Sequence, residues 1–121
     1  MKLLTEELRR KLPPLYAQEG KGSKAVAHVK FFTPDAQWSW YAVEGEPMRD
    51  AEGREVDFHF FGLVDGLCKE LGYFSLKELE RARGPLGLPV ERDVHWQPKT
   101  LDEIAPGWFR TKDQEGDENE T

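Results

Sequence analysis

The chain has 121 residues, of which 38% are hydrophobic and 33% charged, and this length suits one domain with one hydrophobic core. The net charge is −6; residues 111–121 hold one lysine and five acids, so −4 lies there and −2 in the remainder. This balance disfavours nucleic acid as a partner, because phosphate binding needs clustered Lys and Arg. A single cysteine, no recognisable signal peptide and no apolar run of membrane-spanning length predict a cytoplasmic protein with no membrane partner.

The N-terminal part of the sequence predicts a short helix and then a β-hairpin. Thr5 can cap a helix over about residues 5–12, which a pair of prolines then ends. Residues 25–44 predict two strands with a tight turn between them, because apolar and aromatic runs flank a Pro-Asp pair. The polar stretch from Gly45 to Glu55 predicts a long loop.

A second hairpin is predicted over residues 56–74. Its Asp65-Gly66 pair lies between two apolar runs and favours a two-residue type I′ turn, in which both central residues need positive φ. With that turn, Val64 pairs with Leu67, so that His59 and Glu70 lie on the same face of the hairpin. The opposite face then carries Phe58, Phe60, Leu71 and Tyr73.

The C-terminal part predicts further short elements. Ser75 and Glu78 match a capping box at the start of a helix over about residues 76–83. Residues 93–97 predict a short strand, and Thr100 can cap a last helical turn. The expected fold is therefore α+β: a small antiparallel sheet built from two hairpins, with short helices. We expect one domain over residues 1–110 and a disordered acidic tail over 111–121.

Four blocks of the sequence together resemble a known bacterial family. They are KLLTEELRRKLPPLY, VKFFTPDAQWSWYAVEG, VDFHFFGLVDGLCKELGYFSLKELE and RGPLGLPVERD. In this order they are similar to the family catalogued as domain of unknown function 2958, over roughly residues 1–105. The resemblance implies a small protein of plasmids, integrative elements and phages. It implies no activity and therefore no catalytic residue.

One candidate site combines Asp57, His59 and Glu70. Asp57 and His59 are two residues apart on a predicted strand and so share a face, while Glu70 lies diagonally across the predicted hairpin. Such a set can perform acid–base chemistry as catalytic residues, and His28 with Asp57 and His59 can provide metal ligands. The alternative is an ordinary polar outer face of a half-buried sheet.

A second candidate is a binding surface formed by Trp38, Trp40 and Arg92. Two tryptophans on one strand face can stack the bases of single-stranded nucleic acid, provided that they are exposed. The alternative is that these aromatic rings fill the core, because the sequence has few aliphatic residues. Arg92 can bind an anion or a partner, or it can form charged pairs that support a loop.

The absence of a compact set of reactive residues favours a non-enzymatic function. We expect an interaction or regulatory module of a mobile element that binds a protein partner and that needs no cofactor, with counter-defence as one such role. The alternatives are a small metal- or carboxylate-dependent hydrolase and a binder of single-stranded nucleic acid. The acidic tail can mimic nucleic acid, although acidic termini usually only increase solubility.

Overall fold

The structure is a computed structural model that describes residues 1–109. The helices are α1 (Glu6–Lys11), α2 (Leu76–Arg81) and α3 (Leu101–Ile104), with one 3₁₀ turn at Gly22–Lys24. The strands are β1 (Val26–Ala27), β2 (Val29–Phe32), β3 (Ser39–Arg49), β4 (Glu55–Asp65), β5 (Lys69–Ser75), β6 (Glu91–Arg92) and β7 (Lys99–Thr100). The predicted α+β class and its mostly antiparallel sheet are confirmed.

The centre of the molecule is a five-stranded antiparallel sheet in the order β5-β4-β3-β2-β6. A separate two-stranded sheet pairs β1 with β7. The two hairpins predicted over residues 25–44 and 56–74 supply four neighbouring strands of the large sheet, β2 to β5. Four of the five strands therefore follow one another in sequence, and β6 joins β2 from a distant part of the chain.

The loop predicted from Gly45 to Glu55 is wrong, because β3 continues to Arg49 and pairs with β4 along this stretch. Only residues 50–54 form the turn. Asp50 closes it: its carboxylate accepts the backbone N–H groups of Glu52 and Arg54, both at 2.9 Å. Charged residues hid the strand from pattern analysis, although an aspartate that bonds the backbone ahead of it is a typical turn former.

The predicted register of the second hairpin is also wrong. β4 and β5 pair with Asp65 opposite Lys69, so three residues form the turn where two were expected. Neither Asp65 nor Gly66 has the positive φ that a type I′ turn requires. Gly66 is needed for a different reason, since a Cβ there would overlap the ring of Trp38. The register differs by three residues, an odd number, so every side chain of β5 points to the face opposite the one predicted.

Each face of the large sheet packs against a hydrophobic core. On the first, which we call the α1–α2 face, Phe31 and Phe60 are fully buried with Leu79 of α2. On the second, the α3 face, Tyr41 and Leu63 pack with Leu101 of α3. Full burial of such side chains stabilises the fold by about 1.5–3 kcal/mol each.

The helices begin where the sequence predicts. Thr5 accepts the N–H of Leu8, and Ser75 accepts the N–H of Glu78. α2 ends at Arg81, two residues before the predicted end, and α3 has a complete capping box between Thr100 and Glu103.

Two smaller predictions have different outcomes. No strand forms over residues 93–97, where the nearest paired residues are β6 and β7. The predicted acidic tail, 111–121, lies outside the described residues, and the division into one domain and a tail stays a prediction.

Candidate binding site

The predicted carboxylate–histidine site lies on β4, where Asp57 has a structural role. One oxygen of its carboxylate accepts the N–H of Phe58 at 2.7 Å and that of Lys77, in the first turn of α2, at 3.1 Å. Partial burial raises the pKa of Asp57. The hydrogen bonds from these two N–H groups and from the Ser75 hydroxyl lower the pKa by more, so that it lies below its usual value. This carboxylate therefore fixes α2 against β4 as an anion.

The third member of that predicted site is far from the other two. His59 pairs with Ser75 on β5, whereas Glu70 pairs with Val64. Five residues along a strand correspond to roughly 17 Å, and the changed register puts Glu70 on the α1–α2 face, away from His59. Within residues 1–109, no three His, Cys, Asp or Glu side chains are grouped so that they could hold a metal ion.

His28 does not join Asp57 and His59 either. Its backbone N–H donates to Ala42 at 2.9 Å, whereas Asp57 pairs with Met48, six residues further along β3, or roughly 20 Å away. Burial lowers the pKa of His28, and the positive charge of Lys11 lowers it further. The metal and catalytic roles of these residues stay predictions without a common geometry.

The predicted surface of Trp38, Trp40 and Arg92 is divided among three structural roles. Trp38 is 38% exposed and lies against Gly66. Trp40 is half-buried against the α1–α2 core, with its ring centroid 6.0 Å from that of Trp38. The guanidinium of Arg92 donates to the backbone oxygen of Lys2 at 2.6 Å and so holds the N-terminal segment. The stacking of nucleic-acid bases on these tryptophans stays a prediction.

A cavity of about 250 Å³ opens on the α3 face beside β5, and sequence analysis missed it. Three aromatic side chains, Tyr16, Phe61 and Tyr73, contribute to its lining. Its acidic residues are Glu19 and Glu44. We call it the tyrosine cavity. Its remaining lining residues are Gln18, Gly20, Gly22, Ala25, Val43, Leu71 and Leu101.

A β-bulge places Glu44 at this cavity. The pairing of β3 with β4 skips Val43, so that Glu44 lies opposite Phe61 and on the same face as Tyr41. Glu44 is only 4% exposed. Without the extra residue, strict alternation would put Glu44 on the other face with Ala42. The bulge thus turns a carboxylate into the α3 face.

The segment that follows α1 is fixed by this carboxylate. The two oxygens of Glu44 accept the N–H of Tyr16 at 2.9 Å and that of Gln18 at 2.6 Å. Glu46 accepts the N–H of Leu15 at 2.9 Å. A buried charge is tolerated only when hydrogen bonds compensate for its lost hydration, and these N–H groups do so.

Gln18 joins the same segment to two strands. Its side-chain amide accepts the N–H of Val26 at 2.8 Å and donates to the oxygens of Val26 at 3.0 Å and Val43 at 2.7 Å. Such bonds between a buried amide and two strands fix both the segment and the position of β1 beside β3.

Tyr16 is held in an unfavourable backbone conformation at the cavity. Its φ is +73°, the only positive value at a non-glycine residue in the described part of the chain. The left-handed region costs such a residue about 1–2 kcal/mol. Strain of this kind persists only where the surroundings enforce it, and it is often found at functional sites.

Tyr16 and Tyr73 both line the cavity, and their hydroxyl groups interact. The hydrogen bond with Tyr16, then partial burial and the nearby charges of Glu44 and Glu19, raise the pKa of Tyr73 to about 12. The ring of Tyr73 also packs on Phe61, with centroids 4.9 Å apart. Tyr16 and Tyr73 nevertheless stay 62% and 55% exposed, so that both rings are accessible to a ligand.

A family model described as "Protein of unknown function (DUF2958)" matches residues 3–112. The chain belongs to this family. Neither a curated protein nor a solved structure matches it. The matched range of the DUF2958 model includes every residue that lines the tyrosine cavity.

The DUF2958 description assigns no activity, so the chemistry of the cavity has to be derived from its lining. The lining residues include carboxylates, tyrosines, a glutamine and apolar side chains, but no lysine, arginine, histidine, cysteine or serine. A serine or cysteine nucleophile and a histidine base are therefore not among these side chains. Aromatic rings with carboxylates nearby are suited to a cation. Separately, no helix within residues 1–109 is long and apolar enough to cross a membrane.

Proposed function

We propose that the chain is a non-enzymatic interaction module that holds a basic side chain of a partner protein in the tyrosine cavity. The observation that carries this proposal is the lining of the cavity, in which three aromatic rings and two carboxylates occur without any cation. A guanidinium or ammonium group over an aromatic ring gains about 0.5–2 kcal/mol, with the larger value where water is excluded. Arginine is the better fit, because its planar group both stacks on tyrosine and bonds carboxylates.

The size of the cavity supports a side chain as the ligand. Its volume of about 250 Å³ is below the range of about 300–1,000 Å³ that is typical of small-molecule sites. A nucleotide or a comparable cofactor would be larger than this space. One arginine or lysine side chain, with its apolar stem along Leu71 and its charged end near the carboxylates, is of suitable size.

Charge favours the same class of partner. The chain carries −6 overall, which attracts basic surfaces and repels nucleic acid. The expected association with mobile elements makes a protein of the host, or one encoded by the element, the natural candidate, and counter-defence a possible context for it. The hydrolase and the single-strand binder proposed from the sequence have no comparable support in the geometry.

The proposal is tested with a single-residue probe. Acetyl-arginine methylamide is titrated into the ¹⁵N-labelled full chain, with the neutral, near-isosteric citrulline derivative as the matched ligand. We expect the arginine probe to shift the amide signals of Tyr16, Leu71 and Tyr73, and to bind at least about tenfold more tightly than citrulline.

Two variants complete the test. Tyr73→Leu removes a ring and a hydroxyl from the cavity and should reduce the shifts strongly. Leu86→Ala changes a side chain that is 81% exposed on a different loop and should leave them unchanged. Equal binding of both probes, no binding up to concentrations far above about 1 mM, or an unaffected Tyr73→Leu variant would each overturn the proposal.

A further inference from the structure

The strand beside the tyrosine cavity lies at the edge of the sheet. β5 is the outermost strand of the order β5-β4-β3-β2-β6, so within residues 1–109 only β4 pairs with it. β5 has seven residues, whereas the opposite edge strand, β6, has two. A long edge strand presents a row of N–H and C=O groups to which another extended segment can pair.

β5 lacks the usual protection of an exposed edge along its central part. Its pairing with β4 is regular from His59 to Asp65, without the bulge that commonly twists an edge away. Its charged residues, Lys69 and Glu70, lie at the hairpin end. Proline is absent from the strand.

The side chains of β5 connect this edge with the cavity. Leu71 and Tyr73 alternate with Gly72, so both point to the α3 face, and both line the tyrosine cavity. They are 38% and 55% exposed. A strand added along β5 would place every second side chain in the same row, about 7 Å apart, which matches the spacing of Leu71 and Tyr73.

We infer that the partner binds as a sixth strand along β5, through an extended basic segment whose alternate side chains enter the tyrosine cavity. This inference rests on the proposed function and adds the mode of binding. Backbone hydrogen bonds to β5 supply affinity that does not depend on sequence, and the cavity selects an arginine or lysine at one position of the row. An apolar side chain two positions away would contact Leu71.

The α1–α2 face of the same edge also leaves room for such a strand. Gly72 of β5 pairs with Gly62 of β4, so neither residue carries a side chain on the α1–α2 face at this point. A Cβ at Gly72 would meet nothing within 4 Å. The partner residues that point away from the cavity therefore meet open space, and their identity is unconstrained at this point.

Charge distinguishes this occupant from the two others that the chain itself could supply. Residues 111–121 carry one lysine and five acids, and the carboxylates of Glu19 and Glu44 would repel them. A second copy paired through β5 would bring two acidic cavities together. A basic segment of another protein has the complementary charge.

The test uses an eight-residue peptide in which arginine alternates with threonine. Two derivatives carry N-methyl groups, one on every arginine amide and the other on every threonine amide. In a strand paired with β5, the N–H groups of alternate residues point to opposite sides, so only the arginine N–H groups or only the threonine N–H groups point toward β5. We expect one methylated peptide to bind at least about 30-fold more weakly, because each lost backbone hydrogen bond costs roughly fivefold. The other should stay within about threefold of the parent, and so serves as the matched control.

In the protein, Leu71→Lys places a positive charge beside the alternate side chains of the bound peptide. This variant should weaken binding of the parent peptide at least about tenfold. Leu86→Lys is the control, since it adds the same charge elsewhere. If both methylated peptides bind like the parent while the single arginine probe still binds, strand addition is refuted and cavity recognition survives. A dimer of the free chain, or peptide-induced shifts of residues 111–121 together with β5, would assign the edge to a second copy or to the tail and would equally overturn the inference.

Discussion

The backbone strain at Tyr16 can be measured by comparing glycine with alanine at this position. Tyr16→Gly and Tyr16→Ala both remove the ring and the hydroxyl, so the difference between them reports the positive φ. A Cβ at a φ of +73° costs about 1–2 kcal/mol, which glycine avoids. Glycine loses more chain entropy on folding, by about 0.5–1 kcal/mol. We therefore expect Tyr16→Gly to be more stable than Tyr16→Ala by about 0.5–1 kcal/mol.

Tyr73 provides a matched control for this comparison. It is also an exposed tyrosine of the cavity, but it lies in a strand and its φ is not positive. Only the entropy cost of glycine acts there, so Tyr73→Gly should be less stable than Tyr73→Ala by about 0.5–1 kcal/mol. Glycine should therefore be the more stable variant at Tyr16, and alanine the more stable variant at Tyr73.

The assay is urea unfolding followed by tryptophan fluorescence, with thermal melts as a second measurement. Unfolding entropy is about 2.1 cal/mol/K per residue, so that a change of 1 kcal/mol shifts the Tm of this 121-residue chain by about 4 °C. If the same one of the two variants, glycine or alanine, is the more stable at both positions, Tyr16 is not strained at the cavity.

Two further predictions concern other parts of the fold. Glu55 receives two hydrogen bonds from Arg9, at 2.8 and 2.6 Å, and these bonds lower the pKa of Glu55. The stability that the pair contributes is therefore fully present above about pH 4.5, and it is lost as the pH falls through the lowered pKa. A double-mutant cycle with Glu55→Gln and Arg9→Met should give a coupling of about 0.5–1 kcal/mol at pH 7 that disappears near pH 2, and a coupling independent of pH would contradict the pairing. Gly62→Ala should cost about 3 kcal/mol or more, because a Cβ there overlaps the backbone of Tyr41, whereas Gly72→Ala on the paired residue meets open space. If both variants lose the same free energy of unfolding in urea, the close approach of the strands is not what requires Gly62.

The sequence predicts those elements of this fold that have local signals. Thr5 and Ser75 mark helix starts because the capping oxygen and its N–H lie three residues apart. The second hairpin was placed correctly, but its register was not. The register depends on the turn. At that turn Gly66 lies against the ring of Trp38, a residue that directly precedes β3 and is distant in sequence. A dipeptide rule cannot include that contact.

The candidate site was beyond sequence reasoning for a similar reason. Tyr16 lies in a polar stretch without periodicity, and its positive φ follows from hydrogen bonds to Glu44, which is 28 residues away. Glu44 itself reaches the cavity only because Val43 is bulged. The alternation of acidic residues at Glu44 and Glu46 was a usable signal, since carboxylates directly after an apolar strand need partners.

The hydrogen bonds of Glu44 link the stability of the site to its proposed ligand. Its carboxylate is 4% exposed and holds the backbone of Tyr16 and Gln18, so it cannot be exchanged for a neutral group without releasing that segment. The same negative charge attracts a cation to the cavity. A basic side chain that binds there would compensate further for the buried charge and would lie on the ring that the carboxylate positions. Ligand binding should therefore stabilise the strained segment as well as the complex, because any ligand that binds only the folded state raises its stability.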